Sequence, residues 1–253
     1  MKPIPTLAMA AWTLASLPLL AQTATPEFDP LDQINDLPKM IRVQVEFIEV
    51  EHAELTELMD SEVAKSDTKL RAEVGKMVAA KKATIYETLM VTARPGQKAT
   101  SESIEEFIYP TEYEPPELPA EIHTTEDGEK VKSDGKDYAT GPTPTAFETR
   151  NLGSTLEIEP NLGANNKIID LRFSPEMVFH VRNETWAEWK GQHGDAPIQM
   201  PVMYSMRTST SITLLDGTYC FVAALSPKNA EGFPNFDKKL MVFVRADVVT
   251  VGR

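Results

Sequence analysis

The chain is short of four things that most enzymes and nucleic-acid binders need. It has a single cysteine, Cys220, which excludes an intramolecular disulfide and any multi-cysteine metal cluster. It is short of positive charge: 25 basic against 38 acidic side chains leave a formal charge of −13, the wrong sign for gripping phosphate backbones. Its four histidines, His52, His123, His180 and His193, stand apart from one another and from Cys220. No His-x-x-His, His-Glu-x-x-His or Cys-x-x-Cys spacing exists, and phosphate-cradling glycine loops and Gly-x-Ser-x-Gly are missing too. Long apolar runs are confined to the first residues. The expectation is a protein that is not an enzyme, with no cofactor, no metal site and no nucleic-acid partner.

What is present begins with Met1-Lys2, an apolar run from Ile4 to Leu20, and Ala21-Gln22-Thr23-Ala24. One positive charge, a short apolar stretch and small residues form a secretory signal pattern over residues 1–21, with cleavage after Ala21 or Ala24. Pro3, Pro5 and Pro18 argue against a retained membrane helix, which needs roughly 20 apolar residues. Residues 22–40 read as a proline-rich, acidic linker.

From residue 41 the periodicity becomes informative. Ile41, Val43, Val45 and Phe47 alternate with Arg42, Gln44 and Glu46, the pattern of a half-buried strand. Leu55, Leu58, Met59 and Val63, then Leu70, Val74, Met77 and Val78, fall at helical spacing, with Ser66-Asp67 placed to cap a second helix. A strand over 83–93 ends at a turn through Arg94-Pro95-Gly96-Gln97. Residues 109–144 carry six prolines, three glycines and many acids without either period, and read as a flexible insertion at about 110–144. Strands are expected at 155–159, 167–174 continuing to 181, 203–215, 218–225 and 240–251. Asp216-Gly217 is expected to join the two preceding the last as a hairpin. The last strand is apolar at most positions, as for one covered on both faces. Cys220, between Tyr219 and Phe221, reads as a small core residue. The fold class is α+β and β-dominated: a strand-helix-strand unit plus antiparallel hairpins in one domain over 41–251.

The order of these segments resembles the core domain of secretins, the outer-membrane channels of type II and type III secretion. Val43-Gln-Val-Glu-Phe-Ile-Glu-Val50 is similar to that domain's first strand, and Ala93-Arg-Pro-Gly-Gln-Lys-Ala-Thr100 to its strand end and turn. Gly153-Ser-Thr-Leu-Glu-Ile-Glu-Pro160 with Lys167-Ile-Ile-Asp-Leu171 resembles its "G-x-x-L-x-V-x-P … I-x-L-x-I" hairpin. Arg207-Thr-Ser-Thr-Ser-Ile-Thr-Leu-Leu-Asp-Gly-Thr218 resembles "R-x-x-x-T-x-V-x-V-x-D-G-Q-T", and Leu240-Met-Val-Phe-Val-Arg245 stands where the family ends. The sequence departs where Ala223-Ala224-Leu225 replaces Gly-Gly-Leu and where a "V-P-x-L-G-D-I-P" segment shrinks to Ser226–Lys239. The linker over 22–40 leaves no room for the family's stacked periplasmic modules.

The resemblance implies an exported homo-oligomer of a Gram-negative-type outer membrane or periplasm, with other secretion-system components as partners. It places Trp186 and Trp189 at a membrane interface, the alternative being indoles folded back over the sheet; Thr208, Ser209, Thr210 and Ser211 toward a lumen, the alternative being an ordinary solvent face; and Tyr109 and Tyr113 near a gate. Gly96, Asp216 and Gly217 are structural turn residues. A second reading stays open: a soluble periplasmic binding or scaffold module that keeps a degenerate secretin fold as a monomer, without a pore.

Overall fold

The computed structural model describes residues 37–117, 140–163, 166–191 and 194–251. The expected signal segment, most of the expected linker, the middle of the expected insertion, and His123 and His193 lie outside them. Two antiparallel sheets dominate. The first has the order β10-β11-β1-β2, from β1 (Lys39–Glu51), β2 (Thr84–Ala93), β10 (Tyr219–Leu225) and β11 (Lys238–Thr250). The second has the order β3-β4-β5-β8, from β3 (Ala99–Glu114), β4 (Thr143–Leu162), β5 (Ile168–Ala187) and β8 (Ile198–Arg207), with β9 (Thr210–Leu215) also on β5. A two-stranded ribbon, β6 (Lys190–Gly191) with β7 (Gly194–Asp195), completes the set.

Period-2 alternation dictates how the sheets stack. Ile41, Val43, Val45 and Phe47 of β1 and Leu240, Val242, Val244 and Ala246 of β11 meet Leu156, Ile158, Leu171, Phe173 and Leu214 of the second sheet in the main core. The opposite face of β1 and β11, through Ile48, Val50, Met241 and Phe243, is covered by Leu55 of α1 (His52–Asp60) and Leu70 and Val74 of α2 (Asp67–Ala79). The final strand is therefore central and covered on both sides, as its composition required. The helices are separated by a 3-10 turn, Glu62–Lys65. Ser66 occupies the N-cap position of α2 and its carbonyl accepts from the Leu70 amide at 2.8 Å, but its hydroxyl makes no cap bond.

Three expectations are corrected. Asp216-Gly217 does not close a hairpin: β9 pairs with β5, whereas β10 pairs with β11. The turn instead passes the chain from one sheet to the other, held by the Gly217 amide on the Ala246 carbonyl at 2.9 Å and by the Asp216 carboxylate, which accepts from the Val248 amide at 2.8 Å. The expected single strand over 203–215 is two strands, broken at Thr208-Ser209. The break lies opposite Pro175, which has no N–H to give a ladder; its carbonyl accepts from the Thr208 amide at 3.2 Å. The insertion is also narrower than read, because Tyr109–Glu114 and Thr143-Pro144 pair as the far end of a β3–β4 hairpin.

One ion pair is buried beneath the helices. The Glu46 carboxylate, in a residue 5% exposed, accepts from Arg71 Nε at 2.5 Å and Nη2 at 3.2 Å and from Gln44 Nε2 at 2.8 Å. Tyr219 lies between Arg71 and Arg245, whose guanidinium carbons sit 5.4 and 5.5 Å from its ring centre.

Cys220 is half-buried beside the core, and desolvation, aided by the Asp67 charge, pushes its thiol from 9.0 to about 11. At pH 8 this cuts the thiolate fraction by about two orders of magnitude relative to the unfolded chain. Iodoacetamide should therefore label the folded protein far more slowly than the urea-unfolded one, the rate climbing as pH approaches 11. Because the unfolded thiol ionises first, the folded state loses stability as pH rises from 9.0 toward about 11. Equal labelling rates in the two states would contradict the burial.

Candidate functional site

Beyond the Gly153–Val178 pair, β4 and β5 no longer pair, and the second sheet parts into two ribbons, β3–β4 and β5–β8. Gly153 sits at the parting with φ +117°; a Cβ there would lie 2.2 Å from the Ser103 carbonyl oxygen. Only glycine lets β3 and β4 approach this closely where the ribbon turns. The ribbons touch again further out, where the Phe107 ring stacks on His180 with centres 4.9 Å apart and planes 18° apart. Asn183 Oδ1 lies 2.8 Å from His180 Nε2, and Arg150 reaches Glu176 at 3.5 Å. The reverse face of the β3–β4 ribbon shows Ile104, Ile108 and Phe147 to solvent, the last two more than half exposed.

A connection missed in the sequence braces the second ribbon. The β10–β11 loop packs on β5 through the Arg182 guanidinium over the Phe233 ring at 4.6 Å and the Lys228 ammonium over the Phe179 ring at 5.4 Å. The Tyr204 hydroxyl donates to the Ser226 carbonyl at 2.9 Å. Gly232 has φ +85°, and a Cβ would meet Val181 Cγ1 at 1.6 Å. This is the stretch where the family resemblance thins. Its remaining Gly-Phe-Pro is what makes the contact.

The expected site residues are distributed as follows. Ser209 and Ser211 lie on the polar outer face of the second sheet, beside Glu157, Glu159, Arg172 and Arg207. Thr210 pairs with Phe173 on the core side, and Thr208 Oγ1 is buried without a hydrogen-bond partner. The four do not form one polar face, because alternation sends neighbours to opposite sides. The Tyr109 hydroxyl donates to Glu148 at 3.2 Å, and partial burial and that carboxylate raise its pKa. Tyr113 pairs with Pro144 near the hairpin's far end. Trp186 ends β5 and is 76% exposed, whereas Trp189 is half-buried and folded against Gly191 and Gly141. Gly96 turns with φ +74°, its amide donating to the Pro160 carbonyl at 2.7 Å.

Both sheets end in edge strands, β10 and β2 in the first and β3 and β8 in the second. At the rim of the first, one β2 amide, that of Thr88, is occupied by the Glu87 carboxylate at 2.8 Å. In the second, β3 pairs only with β4, and β8 only with β5, among the described residues. From Ala99 to Tyr109 the β3 edge carries no Lys, Arg or Pro, and its charges are the glutamates Glu102, Glu105 and Glu106. No group of three or more His, Cys, Asp or Glu side chains is placed to hold a metal among the described residues. No helix there is long and apolar enough to cross a membrane, which says nothing of strands.

The fold is thus a helix layer on a four-stranded antiparallel sheet, itself stacked on a second sheet that opens into two braced ribbons. No protein-family model matches the chain, and no curated protein does. Among solved structures it is similar to the Salmonella SPI-1 injectisome secretin-domain β-barrel InvG, at 9% identity and TM-score 0.37, covering 85% of this chain and 63% of that one. It is also similar to the type II secretion system secretin GspD of E. coli K12, at 9% identity and TM-score 0.34, covering 84% and 50%. A third is in the pilotin–secretin complex AspS–GspD of ETEC, at 10% identity and TM-score 0.40, covering 88% and 52%. The chain spans about half to two thirds of these structures' lengths. At TM-scores below 0.5, its own strand order and edges must decide what it does.

Proposed function

We propose that the chain is a secretin-like envelope protein, exported by the leader over residues 1–21, whose copies join into a multimeric channel for protein secretion or transport. The observation that carries this reading is the pair of open edges on one sheet. Four strands in the order β3-β4-β5-β8 alternate in direction, so β8 of one copy meets β3 of the next antiparallel. Each copy then adds four strands without a directional fault, and a head-to-tail interface of this kind closes into a ring when its rotation permits. The polar outer face with Ser209 and Ser211 becomes the lumen wall, and the β3–β4 hairpin carries Tyr109 and Tyr113 toward the gate. Trp186, at the far end of the other ribbon, is the residue placed to meet a lipid boundary. The monomeric scaffold reading keeps one observation in its favour: Pro201 on the β8 edge shortens the ladder available to a neighbour.

Proline substitution along Ser103–Glu106 tests the reading. Alternate positions send their N–H to β4 or to the open edge. Proline at the outward positions should abolish the heat-labile, high-mass band on an unheated denaturing gel, while circular dichroism and melting of the single chain stay near wild type. Multimers that survive proline at every position would refute edge pairing through β3.

A further inference from the structure

Past the Gly153–Val178 pair no backbone ladder joins the β3–β4 and β5–β8 ribbons among the described residues. Side chains hold them instead, and one of these can change its charge. The His180 imidazole lies flat on the Phe107 ring, centres 4.9 Å apart and planes 18° apart, and its Nε2 is 2.8 Å from Asn183 Oδ1. Both residues are half-buried. Histidine gains or loses its proton between about pH 5 and 8. The face of a phenyl ring attracts a cation, and an amide oxygen is an acceptor that an imidazolium N–H satisfies.

The charges packed around the stack are already shared. On β3, Glu105 and Tyr109 flank Phe107 at alternate positions; on β4, Arg150 stands opposite Phe107 and Glu148 opposite Tyr109. Tyr109 donates to Glu148 at 3.2 Å, and Arg150 reaches Glu176 of β5 at 3.5 Å. Further along β5, Arg182 pairs with Glu184 at 2.6 Å, and β8 sets the uncharged Met203 opposite His180. Neither arginine therefore stands as an uncompensated positive charge beside the imidazole.

We propose that the His180–Phe107 stack is a proton-operated latch between the ribbons: with His180 protonated they are held together, and with it neutral they spread. The latch lies within one copy and does not rest on channel formation. A cation over an exposed aromatic face should raise the ratio of latched to spread ribbons about two- to fivefold. Because the latched arrangement holds the proton more tightly, acid favours it, and the advantage is lost as pH rises through the histidine range.

The test places spin labels on the full mature chain at Thr145→Cys and Thr185→Cys, both exposed and one on each ribbon, with Cys220→Ser. Unlabelled protein is added in excess so that only distances within one copy are read. Double electron–electron resonance should show a short, narrow distance that dominates near pH 5.5 and gives way to longer ones near pH 8. Phe107→Leu and His180→Gln should each leave the longer distances at both pH values, with circular dichroism unchanged. His180→Arg, a permanent cation over the same ring, should keep the short distance at both, which preserves the test if Phe107→Leu fails to fold. A wild-type distribution indifferent to pH, or a pH response that survives any of the three substitutions, overturns the proposal.

Discussion

Alanine at Gly153 is expected to cost about 3 kcal/mol or more in urea unfolding and to lose the multimer outright. Two effects add. The backbone stands at φ +117°, outside the regions an L side chain adopts at ease, and the new Cβ falls 2.2 Å from the Ser103 carbonyl oxygen. Strain of the first kind costs about 1–3 kcal/mol, and the clash can be relieved only by moving β3 off β4. Gly217→Ala isolates the dihedral contribution, since at φ +74° its Cβ would meet nothing nearer than Asp247 Oδ1 at 3.6 Å. It should cost about 1 kcal/mol. Equal effects at the two glycines would show that the parting of the ribbons is not under steric control.

Arg71→Ala should destabilise the folded chain by about 3–5 kcal/mol, because it leaves the Glu46 carboxylate buried with Gln44 as its sole remaining partner. Removing both charges, as Arg71→Met with Glu46→Leu, should recover most of that loss, since a packed apolar pair carries no desolvation penalty. Denaturant midpoints of the two variants decide between an orphaned charge and lost packing. A double variant as unstable as the single one would assign the effect to Arg71's packing against Tyr219.

The ease with which each element could be read follows from its surroundings. β1 and β11 were legible because burial imposes a pattern: Ile41, Val43, Val45 and Phe47 repeat at period 2, and β11 is apolar throughout because both its faces are covered. β3 was not, since much of Ile104–Glu114 has solvent on one or both sides and Ser103-Ile104-Glu105-Glu106 has no reason to alternate. Asp216-Gly217 announced a tight turn correctly, but turn chemistry is local. It cannot say that Leu214 and Cys220 belong to different sheets of one core. Of the candidate site, the Thr208–Ser211 run was visible as composition and its division between two faces follows from alternation, whereas the strand break within it lies opposite Pro175 of a neighbouring strand. The Glu46–Arg71 pair, the Phe107–His180 stack and the seat of Gly232 on Val181 join residues far apart in the chain, and no spacing rule reports them. As letters of the sequence Gly153 and Gly232 carry no signal of their role; their meaning lies in how little room surrounds them.

The most direct test of the central claim is the native mass of the mature protein extracted from the envelope in mild detergent. The four-strand, two-edge architecture predicts a closed ring of many copies, heat-labile and lost on proline substitution at the open edge of β3. A monodisperse species at or below the 28.1 kDa of a single chain, at the same protein concentration, would contradict it.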